Sequence, residues 1–89
     1  MNKLRRKALT ELVKKLEEIQ SDISAVCESL ADLRDEEEEY IENMPEGIRY
    51  SERGERAETA FDNLTGAADD LENLDLEAII DQINEAIEA

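Results

Sequence analysis

The sequence predicts an all-α chain: a long antiparallel helical hairpin of coiled-coil type that assembles into a helical-bundle oligomer. Three observations predict it. Apolar residues recur at heptad spacing over nearly half of the 89 residues; the single proline lies near the middle; and only 3% of the residues are aromatic. A composition of Leu, Ile, Val and Ala interleaved with Glu, Lys, Asp and Arg is that of long helices rather than of a compact core. A chain this short makes one domain, residues 1–89, with a small core.

The first helix is expected over about residues 3–43. Alternate steps of three and four from Leu9 meet Leu12, Leu16, Ile19, Ile23, Val26, Leu30, Leu33, Glu37, Tyr40 and Met44. Ten of these eleven positions are apolar or aromatic, and only Glu37 breaks the pattern. A stripe sustained for five heptads is a strong sign of a helix that packs along a seam. Cys27 lies beside that seam, where a small thiol packs acceptably; a disulfide across a dimer or a reactive thiol is the sharper alternative. As the only cysteine it has no partner within the chain.

A turn follows over residues 44–50. Pro45 disfavours helical geometry at Met44 and has no N–H to donate, and Gly47 supplies backbone freedom. Ser51 then offers an oxygen to cap a second helix, about 51–74, with Glu52 and Glu55 near its positive end. The stripe continues through Ala57, Ala60, Leu64, Ala67, Leu71 and Leu74. It then changes phase to Leu76, Ile79, Ile80, Ile83 and Ile87. Asp75 can cap a separate C-terminal helix over 76–88, or helix 2 continues with a local adjustment; a break is favoured.

A short connection between helices of similar length makes them antiparallel neighbours. Pairing outward from the turn sets Phe61 near Leu33, Leu71 near Ile23, and Ile83 near Leu12. Two helices enclose little interior, so self-association to a dimer or larger species is expected.

The net charge of −15 is uneven. Residues 1–15 carry six basic side chains against Glu11 alone, whereas residues 57–89 carry ten acids and no base. The hairpin lays these segments side by side, so Lys14 or Lys15 is expected near Asp81 and Lys7 near Glu88. The acid run Asp35, Glu36, Glu37, Glu38 and Glu39 lies within reach of Arg49, Arg53 and Arg56. The surplus acid argues against direct nucleic-acid binding, which draws its affinity from cationic contacts to phosphate. It suits a basic protein groove, and a row of carboxylates on a helix can imitate a phosphate backbone. Asp35 to Glu39 are therefore the candidate acidic interaction face; the alternative is a solvated face that serves solubility.

Catalysis is not expected. Without histidine there is no imidazole base for a Ser or Cys nucleophile, and zinc sites built on Cys or His are ruled out by count. The three glycines form neither a P-loop nor a dinucleotide fingerprint, and the acid run lacks EF-hand spacing. No cofactor or metal is implied. No apolar run has the length of a membrane span and no signal-peptide core follows the basic start, so a cytoplasmic location is expected.

The least generic stretch runs Tyr40-Ile-Glu-Asn-Met-Pro-Glu-Gly-Ile-Arg-Tyr-Ser-Glu-Arg-Gly-Glu-Arg-Ala-Glu. From Tyr40 to about Leu71 it resembles small acidic helical-hairpin proteins of Gram-positive phages and mobile elements. In these an Asn-Met-Pro-Glu turn precedes a Ser-Glu-Arg helix start and an Ala-rich acidic helix. The resemblance implies a phage setting and a fold, and carries no binding residues with it. Two readings of the loop stand. In one, Met44, Ile48 and Tyr50 plug the end of the hairpin while Asn43, Pro45 and Ser51 stop and start helices. In the other, Arg49, Tyr50, Arg53 and Arg56 form a cationic, aromatic patch for a phosphate-bearing ligand.

Three functions follow as expectations. The first is a phage-encoded anti-defence inhibitor that occupies a basic surface of a host nucleic-acid-related enzyme. The second is a sponge that binds a nucleotide signal between subunits. The third is a coiled-coil assembly module.

Overall fold

The computed structural model describes all 89 residues and is all-α, with no strand. Helix α1 spans Lys3–Glu42, a single helical turn α2 spans Glu46–Arg49, α3 spans Glu52–Glu72 and α4 spans Leu76–Glu88. The chain falls into two compact units, each a helical pairing that uses part of α1.

The first unit comprises residues 1–24 and 74–89. Asn2 opens α1, its side-chain oxygen accepting from the Arg5 N–H at 2.8 Å. This satisfies one of the donors that a helix start leaves unpaired. The break after helix α3 is real: Asn73 ends α3, and the Asp75 carboxylate accepts from the Ala78 N–H at 3.0 Å to start α4. The Arg6 guanidinium donates to the Ala89 carbonyl at 3.2 Å, so α4 runs back along the start of α1. Val13 and Ile80 are the buried apolar side chains of this unit. Each contributes roughly 1.5–3 kcal/mol by leaving water.

The second unit comprises residues 25–73. Here α3 returns antiparallel to the C-terminal part of α1, and the Arg53 Nε donates to the Tyr40 hydroxyl at 3.1 Å across the pair. Ile41, Ala57 and Ala68 are its buried apolar residues. The turn between the helices holds more structure than the sequence suggested. Pro45 keeps an extended backbone, and its carbonyl accepts from both Ile48 and Arg49, closing the turn α2. Gly47 needs no unusual conformation, since no residue has a positive φ. Ser51 precedes α3 without capping it through its side chain; the hydroxyl instead donates back to the Ile48 carbonyl. It thereby covers a carbonyl at the end of α2 rather than an N–H of α3.

Gly54 is the close-packing point of this unit. It is buried, and a Cβ there would collide with the Arg49 carbonyl and lie 2.8 Å from the Arg49 Cα. The end of α2 therefore rests on the first turn of α3, backbone against backbone, at a spacing only glycine permits. Tyr50, expected as a plug, is 77% exposed, because this backbone contact closes the corner without it.

The seam on α1 differs from the expected one by a rotation. The row Leu9, Leu16, Ile23, Leu30, Glu37 and Met44 is half-buried, as the heptad reading requires. The second row that turns inward is Val13, Gln20, Cys27, Arg34 and Ile41. The expected second row faces water: Leu12 is 54% exposed, Ile19 42%, Val26 50%, Leu33 53% and Tyr40 40%. The apolar stripe of α1 is wider than one partner helix covers, and the folded-back helices take one side of it. Gln20 and Arg34 join the covered side because their stems are largely hydrocarbon.

The expected ion pairs between helices do not form. The two pairs within 4 Å are both local, Arg34–Asp35 at 3.1 Å and Arg56–Glu52 at 2.7 Å. Exposed lysines such as Lys7, Lys14 and Lys15 gain little from being fixed against a carboxylate.

Candidate binding groove

A groove of about 330 Å³ opens in the second unit beside the turn. Glu38, Ile41 and Glu42 of α1 line one wall, Glu58, Phe61 and Asp62 of α3 line the other, and Arg49 closes one end. The walls follow from helix periodicity. Glu38 and Glu42 are four residues apart, as are Glu58 and Asp62, so each pair sits one turn above the other on a single face. Between them the buried Ile41 and half-buried Phe61 form an apolar floor.

Four exposed carboxylates thus surround a hydrocarbon base with one guanidinium among them. This chemistry suits a cationic side chain with an apolar stem, as in lysine or arginine: the stem lies on Ile41 and Phe61 while the charge meets carboxylates. A bound phosphate would face repulsion on both walls.

The acid run contributes one residue to this site. Five consecutive residues go more than once around a helix of 3.6 residues per turn, so Asp35 to Glu39 share no face. Glu38 enters the groove, Asp35 pairs with Arg34, Glu37 is half-buried, and Glu36 and Glu39 point to solvent. The groove carboxylates that sequence reasoning missed are Glu42, Glu58 and Asp62. Their signal was present, as the two acidic i, i+4 pairs flanking the turn.

Each arginine of the candidate phosphate patch has a different neighbour. Arg49 lines the acidic groove at one end, Arg53 bonds Tyr40, and Arg56 pairs with Glu52. Tyr50 points into solvent alone. A second, smaller hollow of about 150 Å³ is lined by Tyr40, Asn43, Met44, Pro45, Ile48 and Arg53. No group of three metal-ligating side chains is gathered anywhere, and no helix is long and apolar enough to cross a membrane. No family model, curated protein or solved structure matches this chain.

Proposed function

We propose that this chain is a non-catalytic binding protein whose acidic groove docks on a basic surface of a partner protein. The observation that supports it is the groove itself: Glu38, Glu42, Glu58 and Asp62 line it together with Ile41 and Phe61, and Arg49 is its single cation. The net charge of −15 steers such an encounter at low salt. In its specific form the partner is a host nucleic-acid-related enzyme and the chain a phage-encoded anti-defence inhibitor. That form rests on the resemblance of the Tyr40–Leu71 stretch and on the fact that a surface built for phosphates is basic.

The test is capture from a bacterial host lysate with the wild-type chain and with a Glu38→Lys, Glu58→Lys double variant. Both positions are exposed, so the fold is expected to be retained. A partner that is lost with the variant, and is competed off by duplex DNA, supports the reading. An unchanged partner set with both treatments sinks it.

A second reading, the assembly module, is favoured by the uncovered row Leu12 to Tyr40 on α1. Sequestration of a nucleotide signal by Arg49, Tyr50, Arg53 and Arg56 is the weakest, because Arg56 already pairs with Glu52 and Arg49 lines a groove otherwise acidic. Titration calorimetry with cyclic and adenine nucleotides tests it directly, and heat of binding would revive it.

A further inference from the structure

We propose that the uncovered stripe on α1 is an interface for a second copy of this chain, bound antiparallel about Val26. Leu12, Ile19, Val26, Leu33 and Tyr40 lie on one continuous helix at strict seven-residue intervals, and all five are exposed. Spacing at seven residues keeps such a row aligned along a neighbouring helix. On one side the stripe adjoins the half-buried row that begins at Leu9. On the other it adjoins Ala8, Lys15, Asp22, Ser29, Glu36 and Asn43, all exposed.

The amount of exposed surface leaves room for a partner. The chain exposes 6881 Å², whereas a folded monomer of 10.1 kDa exposes about 5,300 Å². No side chain is less than 2% exposed, so the core within one copy is thin. A stable interface removes about 800 Å² per partner, well within the excess.

The residues flanking the stripe favour a second copy in one direction. Val26 is the middle member, with Ile19 and Leu33 one heptad to either side and Leu12 and Tyr40 two. An antiparallel copy therefore places Val26 on Val26, Ile19 on Leu33 and Leu12 on Tyr40, so every apolar residue meets another. The flanking row then sets Lys15 opposite Glu36, Asp22 opposite Ser29 and Ala8 opposite Asn43. Neither Lys15, Asp22 nor Glu36 has an ion partner within its own chain. A parallel two-fold copy would instead bring this exposed flank against the half-buried flank of its partner, and would leave Lys15 and Glu36 three heptads apart. The acidic row Glu11, Glu18, Asp32 and Glu39 lies further round the helix and stays in water.

The test combines mass and orientation. Light scattering on the full chain at tens of micromolar is expected to give twice 10.1 kDa. Val26→Glu, at an exposed position, is expected to keep its helical circular dichroism while its dimer dissociates at least tenfold more readily. For orientation, Ile19→Cys and Leu33→Cys are made separately in a Cys27→Ser chain and treated with a short bismaleimide. Cross-linked dimer is expected only when the two variants are mixed. Cross-linking of each variant alone would show a parallel pair and overturn the proposal. A monomeric wild type would overturn it too, as would a dimer that no combination cross-links and that Val26→Glu leaves intact.

Discussion

Gly54→Ala tests the packing of the turn, because two physical effects of opposite sign meet there. A helical glycine replaced by alanine ordinarily gains up to about 1 kcal/mol, since alanine loses less backbone entropy on folding. At Gly54 the new Cβ would strike the Arg49 carbonyl, and the neighbouring atoms are backbone, which cannot swing aside as a side-chain tip can. Relieving such a clash costs roughly 1–3 kcal/mol or more. Gly66 provides the matched control. It lies in the same helix and the same compact unit, and a Cβ there meets nothing within 4 Å. Gly66→Ala should therefore stabilise by up to about 1 kcal/mol. The propensity gain largely cancels between the two variants, so their difference of about 1–3 kcal/mol isolates the collision. In a domain of this size each kcal/mol moves Tm by about 4–8 °C. Thermal and urea unfolding followed by circular dichroism resolve that difference. If Gly54→Ala rises in stability alongside Gly66→Ala, α2 does not rest on α3 as described.

Other substitutions probe single features. Thr65 carries a buried hydroxyl with no hydrogen-bond partner; Thr65→Val should leave stability unchanged or raise it by about 1 kcal/mol, because a desolvated donor is removed, and a loss in urea titration would mean the hydroxyl is satisfied in solution. Asp75→Ala removes the α4 cap and should cost about 1 kcal/mol, with amide exchange rising first at Ala78 and its neighbours; no change there would show that α4 starts without this carboxylate. Tyr40→Phe deletes an exposed hydrogen bond to Arg53 and should alter stability by no more than about 0.5 kcal/mol; a larger loss would mean that the hydroxyl supports the corner of the hairpin.

Helices and their ends were legible because their causes are local. Pro45 stops α1, Asp75 caps α4, and the heptad spacing of leucine and isoleucine needs only a list of positions. What escaped was set by the partner helix. The stripe on α1 offers rows beginning at Leu9, Leu12 and Val13, and the sequence does not say which two a folded-back helix covers. The weak clue was that Val13, Cys27 and Ile41 extend the stripe to one side. Gly54 was likewise silent, since a close backbone approach leaves no trace except the absence of a side chain. The groove was half legible. Consecutive acids attract attention as a run, but a helix gathers residues four apart, and the site is built from Glu38 with Glu42 and Glu58 with Asp62.

If the uncovered stripe pairs two copies as proposed, stability becomes a function of concentration. The five buried apolar residues retain 6–7% exposure, and two of them are alanines, so one copy holds little hydrophobic free energy. Each stripe residue is about half exposed, and finishing its burial gains about half of the 1.5–3 kcal/mol available to a large apolar side chain. Ten such side chains in a pair contribute on the order of 10 kcal/mol. Association itself costs about 4–15 kcal/mol, so the stripe brings a dimer within reach without making it unbreakable. Folding and pairing are then linked, and Tm should climb as the chain is concentrated from low to high micromolar. Val26→Glu should show a lower Tm that no longer depends on concentration. If the wild-type Tm is flat across that range at low and high salt, the stripe stays in water and the chain is stable by its two helical pairings alone.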